Sequence, residues 1–130
     1  PLRKCYIVIA KPDCSVNTAY AYKQFDACGK SHTPDKLGML YAMQGRDLKE
    51  ICSKMENVFE QFIAVENKVE IKDIMRANSA LGVCMSGSGP TVFGIFDNKD
   101  SAEKCALELK PLAKDIAVTS PVSKGCRIVK

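Results

Sequence analysis

The segment from residue 83 to residue 96 constrains the fold more than any other part of the chain. It reads Val-Cys-Met, then Ser-Gly-Ser-Gly-Pro, then Thr-Val-Phe-Gly-Ile-Phe, so five turn-forming residues separate two short apolar runs. A connection this short joins antiparallel neighbours, because parallel strands need a crossover of a dozen or more residues. The sequence therefore predicts a hairpin of two strands, over residues 83–85 and 91–96.

Two further strands are predicted near the ends of the chain. Residues 5–10 read Cys-Tyr-Ile-Val-Ile-Ala, a continuous apolar run typical of a strand that is buried on both faces. The run ends at Lys11 and Pro12, since proline cannot donate to a strand ladder. Residues 116–119, Ile-Ala-Val-Thr, form the last predicted strand.

Helical spacing dominates the stretch between the first strand and the hairpin. A first helix is predicted over about residues 18–26, with Asn17 or Thr18 as its cap. The Thr-Pro pair at 33–34 is expected to begin a second helix, which Gly45 ends.

The longest periodic pattern follows that second helix. Apolar residues recur at three- and four-residue steps from position 48 to position 62, which predicts one helix of four turns with a core-facing stripe. A further helix is expected over about residues 70–79, with Gly82 placed to end it in a left-handed conformation.

The last helix begins at a near capping box formed by Asp100 and Glu103, and it is expected to stop near Pro111. The predicted order is strand, helices, strand, strand, helix, strand, which is the split βαβ or ferredoxin-like pattern. We therefore expect an α+β sandwich with extra helices in the first crossover. Residues 1–130 are expected to form a single domain.

Composition argues against several classes of function. The chain has 46% hydrophobic and 26% charged residues, and no apolar run is long enough to cross a bilayer, so neither a membrane span nor a signal peptide is expected. The net charge of +4 is modest and spread along the chain, which disfavours nucleic acid as a partner.

The cysteines indicate a reducing compartment. Their number, seven, is odd, and they form no C-x-x-C pair and no close Cys/His pair, so no metal site is expected. Cys52 and Cys105 lie in apolar patterns where cysteine acts as a small buried hydrophobe. Reduced thiols and a cytoplasmic location follow as expectations.

Two loops are candidates for ligand binding. The Ser-Gly-Ser-Gly-Pro connection leaves backbone N–H groups unobstructed for an anion, but it is not a Walker A loop, because proline replaces the lysine and a strand follows it. Residues 10–19 leave a strand and enter a helix, where polar groups often meet ligands. When each loop is taken alone, plain hairpin geometry is the favoured explanation of the first and a solvated surface that of the second.

Two other polar residues receive no role. Asp13 has nothing around it that would give it the environment of a base, so a solvated loop position is expected. His32, the only histidine, has no partner that the sequence reveals.

Taken together, these segments resemble the C-terminal half of GHMP kinases. Met-Ser-Gly-Ser-Gly-Pro-Thr-Val-Phe-Gly at 85–94 is similar to the third motif of that family, the glycine-rich loop that faces the active-site cleft. Residues 11–22, the apolar helix from Leu48 and the ending at 119–125 resemble the branch of the family that acts on a cytidine-diphosphate-linked methylerythritol in isoprenoid synthesis.

The resemblance implies an incomplete kinase. The family transfers the γ-phosphoryl group of ATP, and its nucleotide loop and its catalytic lysine and aspartate lie in an N-terminal half. We expect that half to be absent from residues 1–130, which begin with proline. ATP and Mg would then belong to the parent enzyme, and the N-terminal kinase domain would be the partner of this chain. No catalytic residue is assigned here, and neither tight cofactor binding nor appreciable turnover is expected of residues 1–130 alone.

The resemblance also implies which residues line the cleft. The glycine-rich loop would help to shape the phosphate region, and the loop after the first strand would lie near the nucleotide end of the substrate. The expected site residues are Ser86, Gly87, Ser88, Gly89 and Pro90 in the first loop, and Lys11, Pro12, Ser15, Val16 and Thr18 in the second.

Three alternatives stay open at this stage. Homoserine, mevalonate and galactose kinases share a glycine-rich third motif, so that motif alone leaves the substrate undecided. A freestanding ferredoxin-like domain could instead be a regulatory module of the ACT type that binds an amino acid, although such modules lack a helical insertion of this length. A purely structural domain would show no change in thermal stability with nucleotides or substrate analogues.

Overall fold

Four strands form one antiparallel sheet in the computed structural model, which describes residues 2–29, 32–126 and 128. The spatial order of the strands is β2-β3-β1-β4. This order, with helices between the strands, confirms the predicted split βαβ sandwich. The strands are Tyr6–Lys11 (β1), Gly82–Met85 (β2), Val92–Phe96 (β3) and Asp115–Thr119 (β4).

The register brings the two candidate loops to the same end of the sheet. Met85 pairs with Val92, Val92 pairs with Ala10, and Ala10 pairs with Ile116. These residues form one row across all four strands. The loop between β2 and β3 and the loop after β1 therefore lie at the same end of the sheet.

Five α-helices and one short 3-10 helix connect these strands. Five of these six helices begin at a residue whose side chain accepts a hydrogen bond from an N–H group of the first turn. Asn17 caps the first helix as predicted, but the second begins at Asp35 and not at Thr33, and the last begins at Asn98 and not at Asp100. The helices are Thr18–Cys28 (α1), Lys36–Gly45 (α2), Leu48–Ser53 (α3), Lys68–Ala77 (α4) and Lys99–Glu108 (α5), with the 3-10 helix at Val58–Gln61.

The predicted four-turn helix from 48 to 62 is wrong. Its first part, α3, ends at Ser53, and the 3-10 helix starts after Asn57, whose side chain accepts a hydrogen bond from the Phe59 N–H at 3.0 Å. The apolar stripe is divided accordingly. Leu48 packs with the β3 side of the sheet, whereas Phe59 packs against a different cluster beside α1.

The prediction that Gly82 ends a helix is wrong. Helix α4 stops at Ala77, and Ser79 takes the left-handed conformation with φ 69°. Gly82 instead opens β2, where a Cβ atom would lie 2.8 Å from the Cβ of Cys52. The glycine therefore permits close packing of α3 on the sheet.

Helices α4 and α5 pack on one face of the sheet. The buried cluster there includes Val8 and Ala10 of β1, which are fully inaccessible to solvent. On the opposite face α3 covers only the side towards β2 and β3, and Ile7 and Ile9 are half-buried. The prediction that β1 is buried on both faces is therefore wrong, and the strand runs over 6–11 and not 5–10.

The buried cysteines behave as predicted. Cys52 and Cys105 lie in the two sheet-packed clusters, and burial raises the pKa of each thiol to about 11. In the part of the chain that the structure describes, no helix is long and apolar enough to cross a membrane.

Candidate functional site

The glycine-rich loop at 86–90 is a tight turn held by two backbone hydrogen bonds. Ser86 N–H donates to the Thr91 carbonyl at 2.8 Å, and Gly89 N–H donates to the Ser86 carbonyl at 3.0 Å. Gly89 has φ 86°, and a Cβ atom there would lie 2.8 Å from the sulfur of Met85. The positive φ therefore favours glycine at this position, and any side chain there would also displace the Met85 side chain.

The turn leaves hydrogen-bond donors unused. Among the residues that the structure describes, the N–H groups of Gly87 and Ser88 donate to no protein acceptor. Gly87 is exposed with φ 54°, and nothing lies within 4 Å of the place a Cβ would take. Consecutive free N–H groups in such a turn form a concave donor site that suits an anionic oxygen.

The second loop meets the first through one pair of hydroxyls. The Thr18 and Ser88 side-chain oxygens lie 3.2 Å apart, and either can donate. Val16 packs against the cluster that contains Met85, the residue just before the glycine-rich loop. Ser15 is exposed nearby in sequence. The structure thus brings Val16 and Thr18 to the glycine-rich loop.

The start of the second loop is tied to β4. Lys11 Nζ lies 3.8 Å from a carboxylate oxygen of Asp115, and the Lys11 carbonyl accepts from the Lys114 N–H at 2.8 Å. Pro12 is buried beside this contact. In the described part of the chain, neither Lys11 nor Pro12 forms a hydrogen bond or ion pair with residues 86–90, so these two share the sheet end but not the hydroxyl contact.

The two polar residues without an assigned role have partners. Asp13 is exposed and accepts a hydrogen bond from Lys114 Nζ at 3.0 Å, which raises the pKa of Lys114. The structure therefore agrees with a solvated position for Asp13. His32, for which the sequence revealed no partner, lies 3.3 Å from a carboxylate oxygen of Glu56 and is largely exposed.

Sequence reasoning missed the side chains that support the glycine-rich loop. Asn57 Nδ2 donates to the carbonyls of Met85 at 2.6 Å and Gly87 at 2.8 Å. Glu60 accepts from the Met85 N–H and pairs with Lys72. The sequence indicated these two residues only weakly, as polar positions inside an apolar stripe. Asparagine is a strong helix cap, which was the one sign of a break in the predicted helix.

The electrostatics of Glu60 follow from this position. Burial alone would raise the pKa of its carboxyl, but hydrogen bonds from Lys72 and the Met85 N–H, with the charges of Lys72 and Lys68, hold it below the ordinary value of 4.5. Glu60 is therefore an anion at neutral pH, with its oxygens directed to a backbone donor and an ammonium group.

An open groove adjoins the supported loop. It has a volume of about 670 Å³ and is lined by α2, the segment that follows α3, and the end of β2 with Ser86 and Gly87. Within residues 2–29, 32–126 and 128, no three His, Cys, Asp or Glu side chains converge in a way that could hold a metal ion. The unused N–H groups of the loop match anionic oxygens and not a cation.

Solved kinase structures share this fold. L. major mevalonate kinase in complex with R-mevalonate matches with a TM-score of 0.71 and 21% identity, over 92% of this chain and 43% of that one. A 4-(cytidine 5'-diphospho)-2C-methyl-D-erythritol kinase matches with a TM-score of 0.63 and 22% identity, over 92% and 42%.

Relatives in sequence are more similar. A 4-diphosphocytidyl-2-C-methyl-D-erythritol kinase from Caldicellulosiruptor bescii is 41% identical over 116 residues, which cover 88% of this chain and 41% of the relative. A protein of the same name from Clostridium acetobutylicum is 38% identical over 118 residues, covering 89% and 42%. The chain thus spans about two fifths of the length of these relatives.

A family model decides between the kinase-domain interpretation and the freestanding regulatory module. The model described as GHMP kinases C terminal matches residues 39–113, more than half of the chain, and it includes the glycine-rich loop with its supporting asparagine and glutamate. This chain belongs to the GHMP kinase C-terminal family.

Proposed function

We propose that this chain is the C-terminal, substrate-side domain of a kinase that uses ATP to phosphorylate 4-diphosphocytidyl-2-C-methyl-D-erythritol. The observation that carries the proposal is the turn at 86–90, with unused N–H groups at Gly87 and Ser88. The names of the relatives, which are about 40% identical, supply the substrate. The whole reaction requires an N-terminal kinase domain of the same parent chain.

The glycine-rich loop would serve as one wall of a phosphate site. Two backbone donors and the hydroxyls of Ser86 and Ser88 offer neutral hydrogen bonds to phosphoryl oxygens without adding positive charge. Phosphoryl transfer depends mainly on positioning and on stabilising charge on these oxygens. ATP and Mg supply the phosphoryl group and its charge neutralisation when they are bound by the complete enzyme.

The second loop would serve the nucleotide end of the substrate. Ser15 and Thr18 are exposed, and Val16 is half-buried against the cluster beneath the glycine-rich loop. Lys11 fixes where the loop leaves the sheet through contacts with the start of β4, and the buried Pro12 follows it. Ligand groups lying between the two loops would contact both walls near the bond between Thr18 and Ser88.

A chimera tests this proposal. The N-terminal part of the C. bescii relative would be joined to residues 1–130, which replace its own C-terminal part. ATP-dependent phosphorylation of 4-diphosphocytidyl-2-C-methyl-D-erythritol is expected from the chimera, and negligible turnover from residues 1–130 or from the N-terminal part alone. Homoserine and mevalonate serve as competing acceptors in the same assay.

Three results would contradict the proposal. A folded chimera without activity towards the methylerythritol substrate would remove the assigned reaction, and preference for homoserine or mevalonate would reassign the substrate. Robust phosphorylation by residues 1–130 alone would show that the chain does not need an N-terminal domain.

A further inference from the structure

The outer edge of β2 has an unusual covering. As an edge strand, β2 has backbone groups that no neighbouring strand can pair. At Met85 two side chains take over that pairing: Glu60 accepts from the N–H, and Asn57 donates to the carbonyl at 2.6 Å. The 3-10 helix therefore replaces a further strand at the residue where the glycine-rich loop begins.

Asn57 extends this contact into the loop itself. Its second N–H donates to the Gly87 carbonyl at 2.8 Å, while its oxygen accepts from the Phe59 N–H at 3.0 Å. One amide thus uses both of its donor hydrogens on the strand end and the loop, and its acceptor on the 3-10 helix. The orientation of the peptide after Gly87 is thereby fixed, and that peptide carries the unused N–H of Ser88.

Glu60 is fixed from the other side by α4. Lys72 pairs with its carboxylate, and both side chains are less than one fifth exposed. Lys68 Nζ donates to the backbone carbonyl of Ile63 at 2.8 Å, next to the 3-10 helix. Helix α4 is itself anchored in the core, since Ile71 is fully buried. The support for the loop therefore reaches a rigid element.

We propose that Asn57 and Glu60 are positioning residues that hold the 86–90 loop in the conformation that presents the Gly87 and Ser88 N–H groups to phosphate oxygens. Neither side chain needs to touch the ligand. This inference rests on the proposed kinase function and adds to it the residues that set the geometry of the phosphate wall.

The test compares two asparagine substitutions in the active chimera. Asn57→Asp keeps the size of the side chain but removes both donor hydrogens and places a carboxylate beside two carbonyl oxygens. Asn78→Asp is the matched control: like the half-buried Asn57, the buried Asn78 makes two donor contacts, to the Ile74 carbonyl at 3.0 Å and to Glu108 at 2.7 Å, but it lies away from the loop. Each variant is assayed well below its own unfolding temperature, with folding checked by circular dichroism.

We expect Asn57→Asp to lower kcat/KM for ATP on the order of tenfold to a hundredfold, the size of effect that a small misplacement of reacting groups causes. The KM for the methylerythritol substrate should change by about twofold at most, because the second loop keeps its own contacts. Asn78→Asp should lower the unfolding temperature and leave both kinetic constants within about twofold. Glu60→Gln should resemble Asn57→Asp with a smaller loss.

The outcomes separate this inference from the proposed function. An active chimera whose kcat/KM for ATP is unchanged by Asn57→Asp overturns the positioning role and leaves the function intact. Equal losses in Asn57→Asp and Asn78→Asp also overturn it, since they would reflect general destabilisation. A folded but inactive wild-type chimera overturns both. If Asn57→Asp does not fold, Asn57→Ser, which keeps one donor hydrogen, decides by the same criteria.

Discussion

The two outer edges of the sheet differ in how they are covered: half-buried side chains pair with the backbone at the β2 edge, whereas the β4 edge is exposed to solvent. At the β2 edge, the backbone of Met85 is paired by Asn57 and Glu60, and the supporting Lys72 is mostly buried. At the β4 edge, four of the five strand residues are exposed, and the ion pairs at its start, Lys11 with Asp115 and Lys114 with Asp13, lie in solvent.

The difference between the edges indicates which one fixes the geometry of the chain that follows it. Exposed ion pairs contribute little to stability, whereas buried and hydrogen-bonded charges fix geometry and are costly to break singly. The β2 edge leads directly into the glycine-rich loop, and the β4 edge leads to the end of the chain. We therefore expect the β2 edge to be sensitive to substitution and the β4 edge to be tolerant.

The largest effect is expected from Glu60→Leu. This change leaves the Lys72 ammonium without its partner and the Met85 N–H without its acceptor, which should lower the free energy of unfolding by about 2–4 kcal/mol. Urea unfolding of the 130-residue chain measures it. Glu103→Leu is the control, because Glu103 is half exposed and pairs with Lys99 at 3.5 Å, and it should cost about 0.5 kcal/mol or less. Similar losses in both variants would remove the distinction between buried and exposed pairs.

Lowering the pH is expected to have a smaller effect on the free energy of unfolding, through protonation of Glu60. The pKa of Glu60 is lower in the folded chain than its ordinary 4.5, so its contribution to stability is present above that value and is lost as the pH falls through the folded pKa. The difference in unfolding free energy between the wild type and Glu60→Gln should therefore be constant near pH 7 and shrink below about pH 4.5. Carboxylates elsewhere titrate equally in both proteins and cancel. A difference that stays constant down to pH 3 would contradict the assignment.

The smallest effect on the free energy of unfolding is expected for a substitution at the β4 edge. Ala117 is exposed on β4 and pairs with Ile9, so Ala117→Lys should change the free energy of unfolding by about 0.5 kcal/mol or less. Ala10→Lys is the contrasting variant, because Ala10 is fully buried on the adjacent strand and a lysine there should prevent stable folding. A large loss from Ala117→Lys would show that the β4 edge is as constrained as the β2 edge.

Local patterns in the sequence were sufficient for the sheet. The short connection at 86–90 and the apolar runs on either side of it predict the hairpin, and the order of the remaining elements predicts the sandwich. The break within the predicted helix at 48–62 was missed because spacing reports which residues are apolar, not where a polar side chain bonds. Asn57 ends the pattern through contacts with Met85 and Gly87, about thirty residues away.

The candidate site depended more on resemblance than on pattern. A Gly-Ser turn is ordinary hairpin chemistry, and only the longer motif indicated a ligand loop. The contact between Thr18 and Ser88 joins residues 70 positions apart, which no local rule specifies. The supporting pair of Asn57 and Glu60 was missed for the same reason, because its partners come from the strand and helix that follow.

The pairing of β1 with strands that come much later in the chain has a consequence for biosynthesis. β1 is translated before the other three strands but lies between β3 and β4, and the loop after it bonds to the start of β4 through Asp13 and Lys114, the residue just before that strand, 101 residues apart. Contacts of such long range form slowly, and the central strand has no sheet partner until the hairpin has left the ribosome. The emerging chain must therefore keep the apolar β1 segment unpaired while the residues between β1 and the hairpin are synthesised, and β1 needs protection from aggregation during that interval.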